Sequence, residues 1–289
     1  MFYGIIGAIL NSLGDIAYKK SVLTAEDKIS PYGYQFASWG VSLSIISLTY
    51  FFCVFFNIIE FNHILNLKNL LIFCLLGPMS VGVSFLFAYA YKNEKVAVLT
   101  PYQQAETIFT VILGFLFFSG ISFKAFLFVL LAGFILIVGS IDFKNISFNK
   151  YAFSVVLGSF IYSIKSNLIA YILISISPLE SIFYGNIFAF LAALAMINYK
   201  KEFLLTVRQT SKKMVMFMNF ESTVRLLVGF VYAYLVSEVG IIQTTLLGLL
   251  TIFSNMIFAY FVFKEVPEKK DYFIALLVII CITLGTFAG

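Results

Sequence analysis

Hydrophobic residues in this chain fall in long unbroken runs, not in the strict alternation of a half-buried strand, and polar or turn-forming residues interrupt them at regular intervals. Ten apolar runs lie between those breaks, over 2–19, 32–57, 69–91, 96–118, 124–141, 151–174, 178–199, 214–236, 240–263 and 272–288. An α-helix needs roughly 20 residues to cross a bilayer, whereas a membrane barrel would show segments of about ten residues with alternating polarity. The pattern therefore predicts an all-α membrane protein with ten transmembrane helices. Pro31 and Pro178 open the second and seventh runs, where a missing N–H does no harm, and Gly77-Pro78 predicts a kink inside the third.

Composition agrees with that reading. Of 289 residues, 61% are hydrophobic and 11% charged, against about a quarter charged in soluble domains. The net charge of +5 does not imply a nucleic-acid partner, because the basic residues sit in short connections between apolar runs, where they set topology. Alternating the runs across the bilayer collects fifteen basic residues on one side (Lys19, Lys20, Lys28, Lys92, Lys95, Lys144, Lys150, Lys200, Lys201, Arg208, Lys212, Lys213, Lys264, Lys269 and Lys270) and two, Lys68 and Lys124, on the other. By the positive-inside rule the odd-numbered connections are cytoplasmic and both termini lie outside. The first twenty residues lack a basic start and carry Asn11 and Asp15 within the apolar stretch, so they predict a retained helix, not a cleaved signal. Cys53, Cys74 and Cys281 all fall in apolar runs without a CxxC, so buried inert thiols are expected and no metal site or cofactor.

The chain also repeats itself. Tyr89-Ala90-Tyr91 ends the third run and Tyr232-Ala233-Tyr234 the eighth, Gly7-Ala8-Ile9-Leu10-Asn11-Ser12 parallels Gly158-Ser159-Phe160-Ile161-Tyr162-Ser163, and Ser30-Pro31 parallels Ser177-Pro178. Two halves of five helices follow, 1–143 and 144–289. Five being odd, the second half is inserted with inverted topology around a central cavity, as in many secondary transporters.

The ten-run plan, the paired five-helix repeats, the first-helix ending Ala17-Tyr18-Lys19-Lys20 and the connection Phe263-Lys264-Glu265-Val266-Pro267 together resemble the drug/metabolite transporter superfamily, in particular its EamA-like ten-helix members. The resemblance spans essentially the whole chain and rests more on architecture than on any one motif. It implies a small-solute carrier working by alternating access, with a cavity lined mainly by the first, third, fourth, sixth, eighth and ninth helices. Many relatives keep both termini in the cytoplasm, whereas the charge distribution here places them outside.

Ionisable residues at membrane depth supply the candidate chemistry, since each costs about 3 kcal/mol or more there and faces a cavity or a partner. Glu106 falls at the middle of the fourth run, within the polar stretch Leu99–Thr107 that also holds Gln103 and Gln104, and Tyr102 is expected one turn before it on the same face. Lys165 lies near the centre of the sixth run and has no acidic neighbour within a turn. Arg225 is central in the eighth run, with Glu221 spaced to pair with it. Asp15 follows Asn11 by one turn in the first and is spaced for either a surface pair with Lys19 or a cavity role. The substrate-binding candidates are thus Glu106, Arg225, Tyr102, Glu221, Lys165, Asn11, Asp15 and Gln103. Tyr89, Tyr91, Tyr162 and Trp39 could add to an aromatic box, Asn167, Asn219, Gln243 and Asn255 suit helix–helix hydrogen bonds, and His63 sits alone in a loop.

The function these observations favour is a secondary transporter in a bacterial inner membrane or a plasma membrane, moving a small polar metabolite, with an amino acid or related zwitterion or amine preferred. Arg225 and Lys165 would hold a carboxylate and Glu106 an ammonium group, or Glu106 or Asp15 would exchange a coupling proton. A flippase for a lipid or lipid-linked sugar is the alternative. No HExxH, GxSxG or paired-acid metal motif suggests an enzyme, and the two-repeat plan suits rocking better than a fixed pore.

Overall fold

The computed structural model describes residues 2–25, 29–57, 66–94, 99, 102–103, 105–117, 123–140 and 150–264, together with 273, 276–278, 280–281 and 283–284. The regular elements among them are all helical: α1 (Phe2–Ala25), α2 (Pro31–Phe55), α3 (Leu67–Asn93), α4 (Ala105–Phe117), α5 (Phe123–Ser140), α6 (Lys150–Ile172), α7 (Pro178–Lys200), the short α8 (Phe203–Gln209), α9 (Lys212–Gly248) and α10 (Thr251–Phe263). Among the described residues five spans are long and apolar enough to cross a membrane: Pro31–Phe55, Leu67–Asn93, Lys150–Ile172, Pro178–Lys200 and Lys212–Ile241. Their outer faces fit lipid. Leu48, Phe51, Phe52 and Phe55 of α2 are each more than half exposed. Keeping such a side chain in water rather than in apolar surroundings costs about 1.5–3 kcal/mol each.

The two Ser-Pro pairs do the same work at the starts of α2 and α7. Ser30 accepts a hydrogen bond from the Gly33 amide at 3.0 Å, and Ser177 forms a capping box with Glu180, each followed by proline at the first helical position. α3 continues through Pro78, and beside it Gly77 allows the helix to press against α7, where a Cβ would collide with the Phe188 carbonyl. α1 packs on α9 and α10, α6 packs on α3 and α4, and α2 lies against α7.

The ninth run, expected as one helix over 240–263, is instead broken. Gly240 takes φ 81° and ψ 166°, a conformation that only glycine adopts without strain, and ends the first part of α9. A short helical piece follows to Gly248, the chain turns at Leu249 and Leu250 with the Leu250 amide bonded to the Leu247 carbonyl at 3.1 Å, and α10 begins at Thr251. Glycine at position 248 removes about 1 kcal/mol of helix preference at the point of the turn. Two serines at matching places in the repeated hexapeptides anchor neighbouring helices. The Ser12 hydroxyl points at the carbonyls of Ala8 (3.0 Å) and Thr251 (3.1 Å), and that of Ser163 at Ser159 (2.8 Å) and Glu106 (2.9 Å).

Candidate functional site

The centre of the bundle holds a cavity of about 440 Å³, lined by residues from α1, α2, α3, α4, α6, α7, α9 and α10. Its charged lining residues come from four helices: Asp15 (α1), Glu106 (α4), Lys165 (α6), and Glu221 and Arg225 (α9). Asn11 and Gln103 line it as well.

On one wall the charges are paired. Arg225 Nη2 donates to Asp15 Oδ1 at 2.8 Å and Nη1 to Asn11 Oδ1 at 2.9 Å, while Asn255 of α10 donates to Asp15 Oδ2 at 3.2 Å. Asn11 and Asp15 are one turn apart, so both present oxygen to a single guanidinium fork. Gly14 makes room for it, since a Cβ there would sit 3.3 Å from Arg225 Nε. Glu221, the partner that in-helix spacing predicts, stands farther off, with Oε1 4.0 Å from Nε, and its Oε2 accepts from Ser21 at 3.4 Å. The expected Arg225–Glu221 pair is thus present, at 4.0 Å, but Asp15 is the closer partner of Arg225 and takes the cavity role of the two that its spacing allowed. Arg225 remains 38% exposed, against 12% for Asp15, so N–H groups are left over for a ligand.

The facing wall is different. Neither the Glu106 carboxylate nor the Lys165 ammonium group has a hydrogen-bond or ion-pair partner among the described residues, and both line the cavity. Lys165 Nζ lies 5.1 Å from the Tyr162 ring centroid, a cation–π contact of about 0.5–2 kcal/mol. The backbone around Glu106 is held by Ser163, and that around Gln103 by Ser159, whose hydroxyl reaches the Gln103 carbonyl at 3.3 Å. The helix is fixed while the carboxylate is left free.

The cavity ends at tyrosines on one side. Tyr18 and Tyr91 line it there, with ring centroids 5.9 Å apart, and Tyr34 packs on Tyr18 at 6.0 Å. Tyr18 donates to the Ser84 carbonyl at 2.6 Å, Ser21 and Tyr34 share a bond of 2.6 Å, and Gln103 donates to the Tyr91 hydroxyl. Beyond them Val22, Ala25, Ile29, Met214 and Met218 are buried in the same cluster, so the end is closed. In the opposite direction the lining runs to Leu173, Pro178 and Ser181 at the α6–α7 turn.

Of the predicted site residues, Asn11, Asp15, Gln103, Glu106, Lys165, Glu221 and Arg225 meet at this cavity. Tyr102 does not line it. It is helical, but its ring packs on the tyrosine and methionine cluster instead of facing the cavity with Glu106. Tyr91, Tyr162 and Trp39 line the cavity, while Tyr89 is exposed and pairs with Tyr151. Asn167 bridges to the Thr110 carbonyl as a helix–helix contact, and Asn255 serves Asp15. Asn219 is exposed, Cys74 is exposed and not buried, and His63 and the Gln243 side chain lie outside the described residues. Sequence reasoning passed over Ser21 and the Tyr18–Tyr34 pair; the signal was faint, a serine and two tyrosines amid 17 tyrosines.

No family model matches the chain, and no curated protein matches it in sequence. The fold recurs among solved structures. One, described only as "Crystal structure of protein", superposes with a TM-score of 0.58 at 10% identity, covering 99% of this chain and 96% of its own. A likeness at that identity speaks for the shared fold alone.

Proposed function

We propose that this chain is a secondary transporter of the drug/metabolite transporter type, built as ten spans in two inverted halves and moving a small zwitterion, an amino acid or a related amine, by alternating access. The observation that carries the reading is the central cavity in which Glu106 and Lys165 have no hydrogen-bond or ion-pair partner among the described residues, opposite a partly open Arg225. A buried charge without a partner is costly, and water or a ligand must satisfy it. An anion and a cation without ion-pair partners among the described residues, with spare guanidinium N–H groups across the space, suit a molecule carrying both an ammonium and a carboxylate. A phosphate headgroup would meet Asp15, Glu106 and Glu221 unfavourably, so the flippase alternative gains nothing from this arrangement.

The two-half plan draws support from packing that survives exchange of the halves. α1 lies on α9 and α10 as α6 lies on α3 and α4, α2 pairs with its own counterpart α7, and Ser12 and Ser163 make the same pair of carbonyl contacts. The cavity is closed at the tyrosine end and runs to the α6–α7 turn at the other, the asymmetry that alternating access requires of one state.

The test is uptake of labelled amino acids and amines into proteoliposomes by the wild-type protein and by Glu106→Gln, which keeps shape and removes the charge. Loss of transport with folded protein retained is expected. If Glu106 holds the ammonium group, exchange and gradient-driven uptake fall together; if it carries a coupling proton, exchange survives. Undiminished gradient-driven transport by the variant would remove Glu106 from the mechanism.

A further inference from the structure

The charged residues that line the cavity all belong to α1, α4, α6 and α9; those contributed by α2, α3 and α7 include no Asp, Glu, Lys or Arg. The cavity therefore has two parts, a charged centre and a neutral wing. In the wing Ser38, Ser80 and Ser181 line the cavity, the buried Trp39 indole N–H has no hydrogen-bond partner among the described residues, and Ile46 and Leu76 supply apolar surface. Size points the same way. At about 440 Å³ the cavity falls in the usual range of small-molecule sites, about 300–1,000 Å³, more than the ammonium-to-carboxylate head of an amino acid alone fills. Space remains for a side chain.

Gly185, in the interior of α7, lines this wing, and a Cβ placed on it would meet nothing within 4 Å. Glycine inside a helix costs about 1 kcal/mol relative to alanine, and packing does not account for it here. Gly229 makes the contrast, because a Cβ there would lie 3.1 Å from Ile182 Cδ1 and its glycine serves helix contact. We propose that Gly185 is a specificity-determining residue that keeps the wing open for the substrate's bulky neutral side chain, so that the cargo is a large neutral zwitterion and not a small one. This rests on the zwitterion reading above.

The experiment compares wild-type protein with Gly185→Ala, Gly185→Leu and, as a control, Gly82→Leu, whose site is also open but does not line the cavity. Thermal shifts are titrated with glycine, alanine, leucine and tryptophan. Wild type should bind leucine and tryptophan in preference to glycine. Gly185→Leu should weaken tryptophan at least tenfold while leaving glycine and alanine within about twofold, Gly185→Ala should fall between, and Gly82→Leu should keep the wild-type order. An unchanged order in Gly185→Leu, or in Gly185→Ala should the leucine variant not fold, overturns the role of Gly185 while the zwitterion reading stands. Equal loss for all four ligands also overturns it. Absence of any shift in wild type overturns the zwitterion reading and this inference together.

Discussion

Replacing Asp15 by asparagine tests which carboxylate holds Arg225. The change keeps shape and an oxygen acceptor but removes the charge that lies 2.8 Å from the guanidinium. Breaking a buried pair costs about 3–5 kcal/mol when the remaining charge is stranded. Arg225 keeps Asn11 and the more distant Glu221, and it is 38% exposed, which screens part of the loss. About 2–3 kcal/mol is therefore expected. For a chain of this size 1 kcal/mol moves the melting temperature by about 2–4 °C, so Asp15→Asn should lower it by about 4–12 °C in detergent. Glu221→Gln should do less. Coulomb attraction falls as the inverse of distance, so at 4.0 Å it is about 1.4-fold weaker than at 2.8 Å, and no hydrogen bond to Arg225 is lost. The readout is thermal unfolding followed by intrinsic fluorescence, with the Asp15→Asn/Arg225→Gln double variant closing a cycle. A Glu221→Gln loss equal to or greater than that of Asp15→Asn, or strict additivity in the cycle, would refute the assignment.

Arg225→Lys should leave the protein folded yet weaken ligand binding at least tenfold, because an ammonium point charge cannot serve Asn11 and Asp15 together and still offer a donor to the cavity; wild-type affinity in titrations would exclude Arg225 from the site. A reporter active only in the cytoplasm should be silent after Gly289 and active when inserted near Thr206, following the fifteen-to-two charge split, and a strong C-terminal signal would reverse the orientation.

The helices were legible because apolar length and Ser-Pro starts are local signals. Ser30-Pro31 and Ser177-Pro178 open α2 and α7 as expected, since capping depends on only a few adjacent residues. The depth of Glu106, Lys165 and Arg225 could likewise be counted along the chain. Partner choice could not. Spacing within α9 favours Glu221, but the closer partner comes from α1, and the register between those helices is set by close packing. A Cβ on Gly4 would lie 3.0 Å from Leu247 and one on Gly7 3.1 Å from Val231. Gly4, Gly7 and Gly14 share one face of α1, and a stripe of small residues at that spacing is the sequence signal for such an approach. The break in the ninth run was hidden for another reason: it contains no proline, and the turn after Gly248 is closed by a backbone bond that composition does not foreshadow.

The two walls of the cavity differ in what they offer a ligand, and the difference bears on how binding could drive movement. Asp15, Asn11, Asn255 and Arg225 bond one another across α1, α9 and α10, which ties those helices together. Ser21 links the same network, through Glu221, to Tyr34 in the closed end. Glu106 and Lys165 on α4 and α6 have no hydrogen-bond or ion-pair partner among the described residues, so under the proposed function new ionic contacts with a ligand form chiefly on that side. A ligand shifts a conformational equilibrium only by its difference in affinity between states. The greatest difference arises when unpaired charges on one wall gain contacts that draw them toward a fixed partner on the other. On the proposed function, approach of α4 and α6 toward the α1–α9–α10 wall around a zwitterion bears on the chain of contacts from Arg225 through Glu221 and Ser21 to Tyr34, at 4.0, 3.4 and 2.6 Å, which joins the charged centre to the tyrosine end.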